Sequence, residues 1–275
     1  MTEPWCVILA SREDPGPSAA PLPALNKRDP LAATLRRAAT VTSLDRVAAV
    51  IAEPADPWRR SPLKKLAARN LFVQPTHRVT AFEVLLALLL LERRISPTTP
   101  VLFLPADHIV AVEEVMTNAL SSLLEWVAED PGPVYLLGAL PQGPHDQLGY
   151  IVPWHDAILM PTGVYEFVER PDIRLARRLI NAGGLWNTFI FGGCFASLLR
   201  LFPPRFDRTV AELRNALRSE PAELDLGTLY ERLTPVDFSE DLLATQTDQL
   251  RVLRLLRCGW WPLKSPTLNR SLHSA

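Results

Sequence analysis

Four continuous apolar runs constrain this chain most. They are Trp5–Ala10 (WCVILA), Arg46–Ala52 (RVAAVIA, apolar after its first residue), Val101–Leu104 (VLFL) and Val134–Leu140 (VYLLGAL). A strand with one wet face alternates apolar and polar residues, whereas a strand buried on both faces need not. Helical patterns separate the runs: Leu31–Ala39, Thr80–Arg94 and the amphipathic Val112–Val127, with Leu71–Gln74 as a further short strand. Strand and helix in alternation predict an α/β fold around a parallel sheet covered by helices on both faces. Asp29 and Pro30 suit the N-cap and first position of the first helix. Leu63–Arg69 reads as a short basic helix.

In such sheets ligands gather outside the carboxyl ends of the strands. The stretch VLFLPADHIV, Val101–Val110, delivers a carboxylate there. Asp107 either caps the next helix or holds something charged at the sheet edge. His108 reads as a packing residue beside it.

Composition excludes several classes. A net charge of −1 over 275 residues gives no sign of a nucleic-acid groove or an anionic membrane surface. Cys6, Cys194 and Cys258 are odd in number, lack zinc spacing and fit a reducing compartment. The N-terminus MTEPWCVILAS lacks a basic n-region. The most apolar run, Val84–Leu91, has eight residues against the ~20 of a membrane span. A cytoplasmic protein is the expectation. The chain has 26 prolines and 12 glycines, an unusual balance for a site that cradles phosphate on its backbone.

The second half changes texture. Gly149–Pro153 and Gly163–Pro171 read as strands, Asp172–Ala182 as a basic helix, and Leu185–Gly193 as an apolar, aromatic segment. Two or three helices follow over Cys194–Ala244, with a closing strand in Gln249–Leu263. With no internal repeat, one domain over residues 1–265 and a tail over 266–275 is the simplest organisation. Arg174, Arg177 and Arg178 form either a solvated helix face or a partner contact.

LPADHIV after a strand, then GYIVP, VERP, LWNTFIF and RCGWWPL occur in an order that resembles the sugar-1-phosphate nucleotidyltransferases, and most of all mannose-1-phosphate guanylyltransferases. The resemblance covers roughly Trp5–Leu263. It implies a Rossmann-like mixed, mostly parallel sheet of the nucleotide-diphospho-sugar transferase type. It also implies a reaction in which a sugar 1-phosphate attacks the α-phosphorus of a nucleoside triphosphate and pyrophosphate leaves. GTP or a GDP-sugar and a sugar 1-phosphate are the ligands so implied, without nucleic acid or membrane, and a homo- or hetero-oligomer stays open.

Site residues carry over by position. Asp107 matches the aspartate that holds Mg²⁺, a hard oxygen ligand for a hard cation. Gln74, Pro75, Arg78, Thr80 and Ala81 match a segment close to QPxNRGTA that lines the base, with His77 and Val79 replacing its Asn and Gly. Gly149 and Tyr150 match the GY of a YGYI segment against the sugar, with Leu148 in place of the first Tyr. Glu169 and Pro171 match an EKP triplet, with Arg170 where the lysine stands; Arg170 is the implied catalytic cation. Trp186 and Asn187 match the WN of a WNSGMF-like segment, whose Asn meets sugar hydroxyls. Glu240, within DFSEDLLA, implies a further sugar contact.

Two departures oppose full activity. The family's glycine-rich LAGGxGTR is replaced by LASREDPGPSAAPLPAL, so Ala10, Ser11 and Arg12 stand where backbone N–H groups should cradle phosphate. Glu13 and Asp14 add negative charge there, and Pro15, Pro17 and Pro21 have no N–H. In Gly259-Trp260-Trp261-Pro262, Pro262 takes the place of the aspartate that is the second Mg²⁺ ligand of GWSDxG. These losses predict impaired catalysis. The alternative is a non-catalytic, pseudoenzyme-like member of the fold that binds a sugar nucleotide or acts as a regulator or scaffold.

Overall fold

The computed structural model describes residues 2–10, 29–52, 62–75, 79–155, 160–219 and 222–263. The strands are β1 (Trp5–Leu9), β2 (Val47–Ala52), β3 (Leu71–Gln74), β4 (Pro100–Pro105), β5 (His108–Ile109), β6 (Val134–Ala139), β7 (Tyr150–Pro153), β8 (Thr162–Val168), β9 (Leu185–Cys194), β10 (Leu250–Leu255) and β11 (Trp261–Pro262). The α-helices are α1 (Pro30–Val41), α2 (Val79–Leu91), α3 (Glu113–Glu129), α4 (Ile173–Asn181), α5 (Phe195–Arg200), α6 (Asp207–Ala216) and α7 (Ala222–Arg232).

Nine strands form one sheet in the order β3-β2-β1-β4-β9-β6-β10-β8-β7. β3, β2, β1 and β4 are mutually parallel, as the continuous apolar runs require. Successive residues of each strand serve opposite cores. Cys6 and Ile8 pack with α1 and α3, and Val7 and Leu9 with α2 and the C-terminal helices. Asp29 caps α1, its carboxylate accepting from the N–H of Leu31 and Ala32, with Pro30 at the first position.

The other half bears out a mixed sheet and corrects the expectation that it is mostly parallel and Rossmann-like. β9 runs antiparallel between β4 and β6, and β8 antiparallel to β10. β7 pairs with both β8 and β9, so β9, β6, β10, β8 and β7 close into a small barrel. The fold is α/β with a mixed sheet. The closure depends on pairings between segments far apart in sequence, which hydropathy does not encode.

The apolar run of α2 is buried along its length because the sheet covers one side and α5 and α6 cover another. No helix among the described residues is long and apolar enough to cross a membrane. Two further expectations change. Leu63–Arg69 is not an α-helix but two short 3-10 turns, Pro62–Lys65 and Ala68–Asn70, parted by the extended Ala67. The closing strand stops at Leu255 and resumes as β11, because the chain turns at Gly259, whose φ of +65° suits glycine. The residues 266–275 read as a tail lie outside the described ones.

Candidate functional site

β4 ends at Pro105, and its chain leads through Asp107 into β5. β5 pairs antiparallel with β11, setting Pro262 opposite His108, and the Leu263 N–H donates to the Asp107 carbonyl at 2.9 Å. The Ala111 and Val112 N–H groups both donate to the Cys258 carbonyl at 2.9 Å. The C-terminal segment is thus strapped against the end of the central strand. Asp107 is not a helix cap: α3 begins six residues later with Val112 at the N-cap and no side-chain cap bond.

These residues form one wall of a cleft of about 100 Å³, to which Asp107, His108, Trp260 and Pro262 contribute. The opposite wall is polar and includes Gly149, Glu169, Asn187, Asp237 and Ser239, with Thr80 at the base of α2. Residues more than a hundred positions apart therefore meet at the mouth of the small barrel.

The polar wall is built by a kink in β9. Thr188 donates its hydroxyl to the Leu137 carbonyl at 2.6 Å where the β6–β9 register shifts, and Phe189 adopts a φ of +58°. The Asn187 carboxamide folds back: its oxygen accepts from the Phe189 N–H at 3.0 Å, and its NH₂ donates to Ser239 Oγ at 3.3 Å. The Asn187 N–H donates to the Gly149 carbonyl at 2.8 Å, joining the start of β9 to the residue before β7. A Cβ at 149 would press on the Glu169 carboxylate, which would have to shift. Ser239 is the second residue of a π-helical turn, Phe238–Leu243, in which the N–H groups of Ser239 and Glu240 donate to Asp237 Oδ1. The Thr80 hydroxyl accepts from the Phe238 N–H at 2.9 Å, fixing this turn to α2.

Behind the apolar wall, Arg37 is nearly fully buried. It makes two bonds to the Glu113 carboxylate, 2.7 and 2.9 Å, and approaches His108 Nε2 at 2.9 Å. A guanidinium only donates, so His108 Nε2 accepts and the proton resides on Nδ1. Burial, then the Arg37 charge, holds His108 neutral, its pKa pushed down to about 3.

The structure gathers Asp107, Gly149, Glu169, Asn187 and Thr80 from the residues expected to form a site. Arg170 lies at the lip, half-exposed, with its guanidinium toward carboxylates. Glu240 is exposed beside it. Tyr150 is fully buried beneath the cleft, its hydroxyl accepting from Trp186 Nε1 and the His145 N–H and donating to the His145 carbonyl. Ala10, Gln74 and Ala81 are buried and do not line the cleft. Ser11 and Arg12 lie outside the described residues, as do His77 and Arg78. Sequence reasoning missed Asp237 and Ser239 as lining residues. The signal was present, since Asp-Phe-Ser-Glu is an N-capping pattern.

The donor set does not fit a divalent cation held by the protein alone. Pro262 pairs with His108, the neighbour of Asp107, where a second carboxylate would be needed. Asp237 is committed to capping its turn. Among the described residues no group of three His, Cys, Asp or Glu side chains is arranged to hold a metal.

No protein-family model matches the chain. Individual proteins do. An alginate biosynthesis protein AlgA from Pseudomonas syringae pv. tomato is 30% identical over 211 residues, covering 72% of this chain and 42% of that protein. A mannose-1-phosphate guanylyltransferase from Sinorhizobium fredii is 26% identical over 172 residues, covering 62% of this chain and 32% of that protein. The chain thus spans less than half the length of these curated relatives. A crystal structure of a mannose-1-phosphate geranyltransferase from Thermus thermophilus superposes with a TM-score of 0.76 at 25% identity, covering 94% of this chain and 76% of that one. With the mixed sheet, the barrel and the cleft at the end of β4, these likenesses show that the chain belongs to the sugar-1-phosphate nucleotidyltransferase family.

Proposed function

We propose that this chain binds a sugar nucleotide of the GDP-mannose type and is impaired in the transfer step that would make it. One observation carries the reading: the two walls of the cleft are unequal. Glu169 and Asn187, polar groups able to meet sugar hydroxyls, line it together, while among the described residues the wall that should handle phosphate and metal offers Asp107 and a proline. In the full reaction an oxygen of mannose 1-phosphate attacks the α-phosphorus of GTP, and the bond to pyrophosphate breaks with its electron pair, and so the developing negative charge, going to the leaving group. That charge needs preorganised donors and cations. The described lining contains Asp107, Glu169 and Asp237 and no lysine or arginine. Mg²⁺ would enter with the ligand's own phosphate oxygens, Asp107 adding one ligand.

Loss of several charge-stabilising groups lowers a rate by on the order of a hundredfold or more. The test pairs calorimetry of the chain with GDP-mannose against a coupled assay of pyrophosphate release from GTP, Mg²⁺ and mannose 1-phosphate. The expected result is heat of binding with negligible release. Rapid turnover would overturn the impairment. Absence of heat with GDP-mannose, GTP and mannose 1-phosphate would overturn the ligand and favour a scaffold. The scaffold reading has its own support in the exposed face of α4, where Arg174, Arg177 and Arg178 stand together.

A further inference from the structure

Arg170 stands where β8 passes into α4, at a backbone φ of +46°, which an L side chain rarely adopts. Its guanidinium lies within reach of three carboxylates: Glu240 at 3.2 Å, Asp237 at 3.6 Å and Glu169 at 3.9 Å. One positive charge facing three negative ones leaves a net negative lip. A phosphate arriving there would be repelled by the surplus before it met the cation. The position expected to supply a free cation is committed elsewhere.

What Arg170 does hold can be followed atom by atom. Its Nη2 engages Asp237 through Oδ2. The other oxygen of that carboxylate, Oδ1, accepts from the N–H groups of Ser239 and Glu240 at 2.9 and 3.0 Å. Ser239 Oγ in turn accepts from the Asn187 NH₂ at 3.3 Å. Asn187 also lines the cleft. An unbroken path of charge and hydrogen bonds runs from the lip to the amide.

We propose that Arg170 is a positioning residue: it clasps the β8–α4 junction to the Phe238–Leu243 turn and, through Asp237 and Ser239, sets the orientation of the Asn187 amide. It orders the sugar-side wall rather than binding phosphate. Asp237, absent from any sequence expectation of the site, is the relay that makes this work.

Two measurements test it on the full chain. The first is hydrogen exchange at the amides of Ser239, Glu240 and Asp241 without ligand. Arg170→Ala and Glu240→Ala should each speed exchange roughly two- to fivefold, the range a part-exposed ion pair supports. The double variant should exchange no faster than Arg170→Ala, and Arg170→Lys should recover part of the protection. Unchanged exchange in Arg170→Ala, or additive effects in the double variant, would overturn the clasp. The second is GDP-mannose calorimetry, which rests on the function proposed above. Both single variants should weaken binding about equally, with no further loss in the double variant. Loss of binding in Arg170→Ala with none in Glu240→Ala would make Arg170 a direct ligand contact and overturn the proposal. Absence of heat from the unmodified chain would sink the functional reading alone, with exchange still deciding the clasp.

Discussion

On one side of the cleft, the Asp107–Ile109 segment meets the Trp260–Pro262 strap over a buried Arg37 that is paired with a part-exposed Glu113. On the other, the Asn187 kink, Glu169 and the Asp237–Ser239 cap form a wall of carboxylates and amides. The first wall is ordered by backbone pairing and aromatic packing: Trp260 lies 6.2 Å from the His108 ring, and Trp186 lies 5.7 Å from Trp261. The second is ordered by side chains that bond one another. Backbone pairing tolerates substitution, which is how Pro262 can occupy β11 without unmaking the wall. A side-chain relay tolerates less, because each member satisfies the next. Function can therefore be lost from the first wall while its architecture stays, whereas the second wall must keep its residues to keep its shape.

The largest test strikes the junction both walls share. Phe191 stacks between Phe103 of β4 at 4.8 Å and Phe238 of the turn at 4.9 Å. Phe191→Ala should destabilise the fold by about 3–5 kcal/mol, read as a lower urea midpoint. Arg37→Ala, which strands Glu113 and frees His108, should lose about 2 kcal/mol, since Glu113 can partly turn to water; thermal unfolding measures it. Equal losses from both variants would erase the distinction between core and wall.

His108 offers a pH test of the first wall. Its folded pKa lies near 3, below the ordinary histidine value of 6.5. Between those limits the unfolded chain binds a proton that the folded chain does not, so stability falls as pH drops from about 6.5 toward 3. His108→Asn should flatten that part of the slope in urea titrations at successive pH values. An unaltered slope would show that His108 is not held neutral.

Pro262→Asp should give the first wall a second carboxylate and with it Mn²⁺ binding, detected by loss of the free-ion electron paramagnetic resonance signal. Binding of equal strength in the unmodified chain would remove the contrast between the walls. The smallest effect belongs to the outer face of the barrel, where Trp154 and Tyr165 pack edge to face at 4.8 Å yet stay 59% and 57% exposed. Tyr165→Thr should change stability by no more than about 0.5 kcal/mol.

The parallel half was legible because burial on both faces writes itself into residues 5–10, 47–52 and 101–104 as unbroken apolar runs. The α1 cap was legible because Asp29-Pro30 is a local signal. The barrel was not, since β7 and β8 must find β9 and β10 across long stretches of chain and their own pattern names no partner. At the site, Asp107 could be singled out as a carboxylate just past an apolar segment, and Asn187 as a polar residue inside one. Tyr150 illustrates the limit: a tyrosine beside a sheet edge can face a ligand or bury its ring, and here the Trp186 and His145 bonds bury it.

By itself, then, the order of residues determined that this chain makes a helix-covered sheet with a carboxylate past its central strand, because hydrophobic period and capping act over a few residues. Only the tertiary structure decided that Pro262 sits opposite His108, next to Asp107, that Arg170 spends its charge on Asp237 and Glu240, and that Ser239 holds the Asn187 amide. Those are encounters between segments brought together by folding, and distance in space leaves no mark on distance along the chain.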